Sequence, residues 1–287
     1  MTKQQYLKMP IVKEFTEWLS LTLSNPYTHS YVINSNGPAN NAWIAYNNSQ
    51  DWNCTSIFDA YQKYHWGKKY CDFNSNSAIL DTLKKVGESG LLRNNNDIIK
   101  MYCLLVFDWG GVRGNDNYVN NYGPNNGFLD ILNEISFGIN NLNPIVFNDN
   151  VTFPNIKLNA GFTKVYSLLI KDFIIYDSRV AKALCKLISE FFALKNQLGN
   201  NNVDPLLALK IPRGRRDEGG NLIFNNRFSF QLFNDNNNYH QVSNIRASWI
   251  LKEVLRVSPN SQFNQLPNDQ NLRALEAALF MIGYQIN

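Results

Sequence analysis

The chain has 287 residues, 44% of them hydrophobic, and carries a net charge of +4 at a pI of about 8.7, a balance that permits nucleic-acid binding without requiring it. Only 17% of the residues are charged, below the usual ~25%, and asparagine fills the polar positions instead, as in Asn94-Asn95-Asn96 and Asn236-Asn237-Asn238. Cys54, Cys71, Cys103 and Cys185 are too scattered for a metal or iron–sulfur motif, and no run reaches the ~18 apolar residues of a membrane span, so a disulfide scaffold, a structural metal site and an integral membrane protein are set aside.

In chain order, Met1 to Pro10 is polar and lacks the apolar segment of a secretion signal. Ile11, Phe15, Trp18, Leu19 and Leu23 recur with helical period, predicting a helix that ends near Asn25-Pro26. Tyr27 to Asp51 reads as a loop, with Trp43 as its anchor to the core. Phe58, Tyr61, Tyr64 and Trp66 follow helical spacing and read as core. A helix is expected over Ser77–Val86, capped by Ser77, and another over Asn96–Phe107, capped by Asn96. Trp109-Gly110-Gly111-Val112-Arg113 follows; its double glycine permits close approach of backbone to another helix or to phosphate, and Arg113 is a candidate phosphate contact. A further helix is expected over Phe128–Ile139, and Asn140–Asn159 is irregular.

The stretch Leu158–Leu184 organises the rest. Gly161 punctuates a turn by virtue of its freedom at positive φ. A short helix follows with Val165, Leu168 and Leu169 on one face, then an apolar connector, Phe173–Tyr176. Asp177 has the placement of an N-cap for a helix running from Ser178 to about Lys195. Lys164 thus opens one helix and Asp177 the next. Beyond them, Arg213, Arg215 and Arg216 form the most basic cluster, on a loop suited to backbone phosphates. Phe228–Phe233 alternates like a strand but stands alone, and helices are expected over Asn244–Arg256 and Gln270–Tyr284. Eight to ten helices and no strand set predict a mostly α protein of one unit, with approximate subdomains 1–150 and 151–287.

Gly161, Thr163, Lys164, Val165 and Asp177 resemble the helix-hairpin-helix superfamily of DNA glycosylases, in particular its 8-oxoguanine DNA glycosylase branch. The hairpin has one glycine where that family usually has two. The resemblance implies a helix-hairpin-helix element over about 150–185 and two interlocked helical subdomains with a DNA cleft between them. It implies Lys164 as a nucleophile and Asp177 as the carboxylate that stabilises an oxocarbenium-like sugar or activates the attacking group. Gly161, Thr163 and Arg179, with Arg113, Arg213, Arg215 and Arg216, would contact DNA, and Trp109 and Tyr176 would line a pocket for the flipped base. The expected activity is excision of a damaged or modified base, with or without strand cleavage, in repair or in defence against phage DNA. The expected protein is a cytoplasmic monomer with DNA as partner and no cofactor, metal or membrane. Two other readings stay open: a non-catalytic DNA-binding helical protein, and a helical protein-interaction module.

Overall fold

In the computed structural model, residues 1–34, 38–66, 72–121, 157–195, 204–214, 217–234 and 236–286 are described. The predicted helix Phe128–Ile139, most of the irregular stretch before Leu158, and Arg215 and Arg216 lie outside them. The fold is mostly α, with eleven α-helices and five short strands among the described residues.

The first half supplies α1 (Lys3–Leu7), α2 (Pro10–Thr22), α3 (Pro38–Asn47), α4 (Ile57–Gln62), α5 (Phe73–Leu92), α6 (Asn96–Gly110) and α7 (Asp116–Asn121). Pro10 sits at the first position of α2, where its missing N–H costs nothing. The Tyr27–Asp51 stretch is not a loop throughout: besides α3 it holds β1 (His29–Val32), antiparallel to β2 (Asp51–Cys54), with Tyr31 stacked on its register partner Trp52. Four-residue strands carry too little periodicity to announce themselves. Trp43 is buried.

Two caps differ from expectation. Asp72, not Ser77, opens α5: its carboxylate accepts from the Ser75 amide and hydroxyl, and Ser77 falls inside the helix on its buried side. Asn95, not Asn96, opens α6, accepting from the amides of Asp97 and Ile98. Asn94 takes a positive φ of 47° where α5 ends. Three successive asparagines offer equivalent caps, and only the packing of α5 on α6 decides which one is used.

The second half supplies α8 (Phe162–Leu169), α9 (Ser178–Leu194), α10 (Asn237–Val257) and α11 (Asn271–Ile282). Phe228–Phe233 does not stand alone. As β5 it pairs antiparallel with β4 (Asn221–Phe224) and parallel with β3 (Ile211–Pro212). Asn225 and Asn226, with φ of 53° and 54°, make the tight turn between β4 and β5, which requires positive φ at both central residues.

One hydrophobic cluster runs through both halves. α11 packs on α4 and α9, α10 on α1 and α2, and α8 on α5 and α6. Residues Phe162 to Leu168 are all buried, so α8 lies inside the molecule rather than showing it a single apolar face. No described helix is long and apolar enough to cross a membrane.

Candidate active site

The sequence from Gly161 to Val180 folds so that the start of α8 faces the start of α9. Gly161 holds φ at −83°, so its role is not left-handed freedom. It is close approach: a Cβ there would sit 2.2 Å from the Asn115 side-chain amide. That amide side chain accepts from Asn159, whose own carbonyl oxygen takes the amides of Gly161 and Phe162. The turn before α8 is therefore tied by side chains to Asn115, in the short 3-10 turn Arg113–Asn115 that follows α6.

The connector Phe173–Tyr176 is buried, and each polar group of its inner residues must be paired. The Ile174 amide donates to Ser248, the Ile175 amide to Glu276 at 2.7 Å, and the Tyr176 amide to Thr163 Oγ1 at 2.8 Å. The Ile174 carbonyl accepts from Asn244, and the Tyr176 carbonyl lies 2.8 Å from His240 Nε2. Burial drops the His240 pKa to about 4, so the ring is neutral and Nε2 carries the donated hydrogen. Thr163 is fully buried, its hydroxyl also donating to Asn244 at 2.7 Å. It fixes the connector and presents no group to a phosphate.

Held this way, Asp177 caps α9 through Oδ1, which accepts from the amides of Arg179 and Val180 at 3.1 and 3.2 Å. Its Oδ2 is left facing Lys164 Nζ at 3.8 Å. Lys164 is 6% exposed and donates to the Ala160 carbonyl at 2.7 Å. Burial pushes its pKa down; Asp177 and Glu276 push back and Arg179 adds to the fall, leaving it below the usual lysine range. α6 closes on this arm, since a Cβ on Gly110 would lie 2.6 Å from Lys164 Cδ. Gly111 ends α6 in the left-handed conformation, φ 65°. The double glycine thus serves a helix contact and a C-cap.

Lys164 and Asp177 line a cleft that opens to solvent. Its walls are aromatic: Tyr64, Trp66, Trp109 and Phe280. Trp66 meets Phe280 edge-on at 5.4 Å and Trp109 at 6.4 Å. Trp66 Nε1 donates to the Trp109 carbonyl, Trp109 Nε1 to Asn76, and Asn76 in turn to the Trp66 carbonyl, so the wall is locked before any ligand arrives.

Other candidate residues lie elsewhere. Tyr176 is buried behind the cleft, its hydroxyl donating to the Lys210 carbonyl. Arg179 is half-buried in an aromatic clasp, its guanidinium 4.5 Å from the rings of Phe280 and Tyr284. Arg113 is exposed and paired with Asp108 on the surface. Arg213 is exposed and donates to the Gly219 carbonyl. Its neighbour Gly214 abuts Ser178, where a Cβ would meet Oγ at 3.1 Å, which brings the arginine loop against the head of α9.

Sequence reasoning missed Ser77, Arg273 and Glu276, which complete the cleft from α5 and α11. Glu276 is 8% exposed, and burial raises its pKa to about 7 against the pull of Arg273 and the Ile175 amide. The signal was a lone glutamate inside the apolar run Ala274-Leu275-Glu276-Ala277-Ala278-Leu279. Among the described residues no group of three or more His, Cys, Asp or Glu is placed to hold a metal ion. The arrangement offers a buried amine, a carboxylate beside it and aromatic faces for a planar ring. Compared with protein-family models, with curated proteins and with solved structures, the chain matches none.

Proposed function

We propose that this chain is a DNA glycosylase of the helix-hairpin-helix kind, two helical parts flanking the cleft, acting on a damaged or modified base turned out of the duplex. The observation that carries the reading is the pairing of Lys164 Nζ with Asp177 Oδ2 at 3.8 Å in an aromatic cleft. An amine attacks only when unprotonated, and burial of Lys164 favours the neutral form. The neutral amine forms a bond to the sugar C1′ as the bond to the base nitrogen breaks, and the base leaves with the electron pair. Asp177 balances the positive charge that builds on the sugar. The nitrogen gives a proton to the departing base, the ring oxygen leaves C1′ with its electron pair and is protonated by water, and the lysine is held as a protonated imine; loss of a C2′ proton then expels the 3′-phosphate and cleaves the strand. Tyr64, Trp66, Trp109 and Phe280 supply faces on which a flipped base stacks. Arg213, close to the α9 N-terminus, and its neighbours Arg215 and Arg216 supply phosphate contacts. The protein acts as a monomer in the cytoplasm, in repair or in defence against phage DNA.

The test is incubation with a panel of damaged and phage-modified DNAs, scoring abasic sites, with borohydride present in parallel. The wild-type chain is expected to become covalently joined to DNA and Lys164→Gln is not. Excision without trapping would make water the nucleophile, activated by Asp177. No excision from any DNA would sink the reading.

A further inference from the structure

Two residues that line the cleft, Arg273 and Ser77, each carry a buried polar atom with no hydrogen-bond partner among the described residues, Nη1 and Oγ. Ser77 is 7% exposed. A buried donor left unpaired is costly, and native proteins keep few of them. Two other polar side chains on this wall are committed. Asn76 donates to the carbonyls of Trp66 and Asp72 and accepts from Trp109. Glu276 accepts from the Ile175 amide.

Resting on the reading of this cleft as a base pocket, we propose that Arg273 selects a ring presenting a carbonyl oxygen over one presenting an amino group at the same position. A guanidinium only donates; it has no acceptor lone pair. A carbonyl edge between the tryptophan and phenylalanine faces satisfies Nη1, and the Ser77 hydroxyl can donate to the oxygen's second lone pair. An amino edge sets donor against donor at Nη1 and leaves it unpaired, and the Ser77 hydroxyl, which can accept from the amino group, does not relieve that clash. Discrimination by an unpaired donor is larger than discrimination by shape, because hypoxanthine and adenine differ by little in volume. The preference belongs to the wall and not to the lysine, so it acts on a free base as well as on one in DNA.

The experiment is calorimetric titration of the full chain with hypoxanthine against adenine, which has no carbonyl. Hypoxanthine is expected to bind on the order of 10-fold tighter or more. Arg273→Met should abolish the preference, while Arg273→Lys, which keeps a donor, retains part of it. Because Arg273 also draws the Glu276 pKa down, the fold of Arg273→Met is checked by its thermal melt before the ratio is read. Equal affinities, an amino preference, an unchanged ratio in Arg273→Met, or no binding of either base would each overturn the inference. A carbonyl preference in a chain that excises nothing would keep this inference and remove the glycosylase reading. Excision trapped at Lys164 with an unchanged base preference in Arg273→Met would do the reverse.

Discussion

Asp177 does two things with two oxygens, and the two can be separated. Oδ1 caps α9, and Oδ2 faces the lysine. Asparagine caps about as well as aspartate, so Asp177→Asn should unfold within about 1 kcal/mol of the wild type. Base excision should fall on the order of 100-fold, the scale of a lost electrostatic stabiliser; single-turnover kinetics beside a urea melt will check both. Glu276 gives a second prediction through pH. Its folded pKa of about 7 lies above the ordinary 4.5. The folded chain therefore holds this proton where the unfolded chain has released it. Its stabilising contribution is complete below pH 4.5 and is lost as pH climbs through 7. At about 1.4 kcal/mol per pKa unit the loss over these two and a half units is at most about 4 kcal/mol. Glu276→Gln keeps an acceptor for the Ile175 amide and has no proton to release, so urea melts across this window should show a flatter pH dependence than the wild type.

At the scale of elements, the two glycines that end α6 make a matched pair. Gly110 lies against the Lys164 side chain, and Gly111 has open space around its Cα but a φ of 65°. Gly111→Ala should cost about 1 kcal/mol from the left-handed backbone and leave the site alone. Gly110→Ala should instead displace the lysine arm, lowering the yield of borohydride-trapped complex by more than its loss of stability explains. A trapped yield equal in the two variants would show that α6 does not position Lys164. Helix caps were legible at this scale where one residue could serve, as at Asp177, and ambiguous where several could, as at Asn94–Asn96. The β4–β5 hairpin hid because its turn is Asn-Asn within a chain already rich in asparagine. β3 hid because two residues carry no period.

Across the whole molecule, α8 of the second half is enclosed by α5 and α6 of the first, and α10 and α11 close on α1, α2 and α4. With a shared core, neither half can bury its apolar faces alone. The full chain should unfold in one transition, with tryptophan fluorescence and circular dichroism superimposable, and fragments 1–121 and 157–286 made separately should not fold. Two separate transitions would instead mark the halves as independent units. The sequence by itself determined the helical class, the α8–connector–α9 order and the cap at Asp177, because periodicity and capping are local and a few neighbouring residues set them. Only the tertiary structure decided that Thr163 is a buried staple, that Tyr176 lies behind the cleft and that Arg179 is clasped by aromatic rings. It alone brought Ser77, Arg273 and Glu276 to Lys164 and Asp177. The physical reason is that burial and the pKa changes it causes depend on which surfaces meet, and residues about a hundred positions apart meet here only because the core closes around α8.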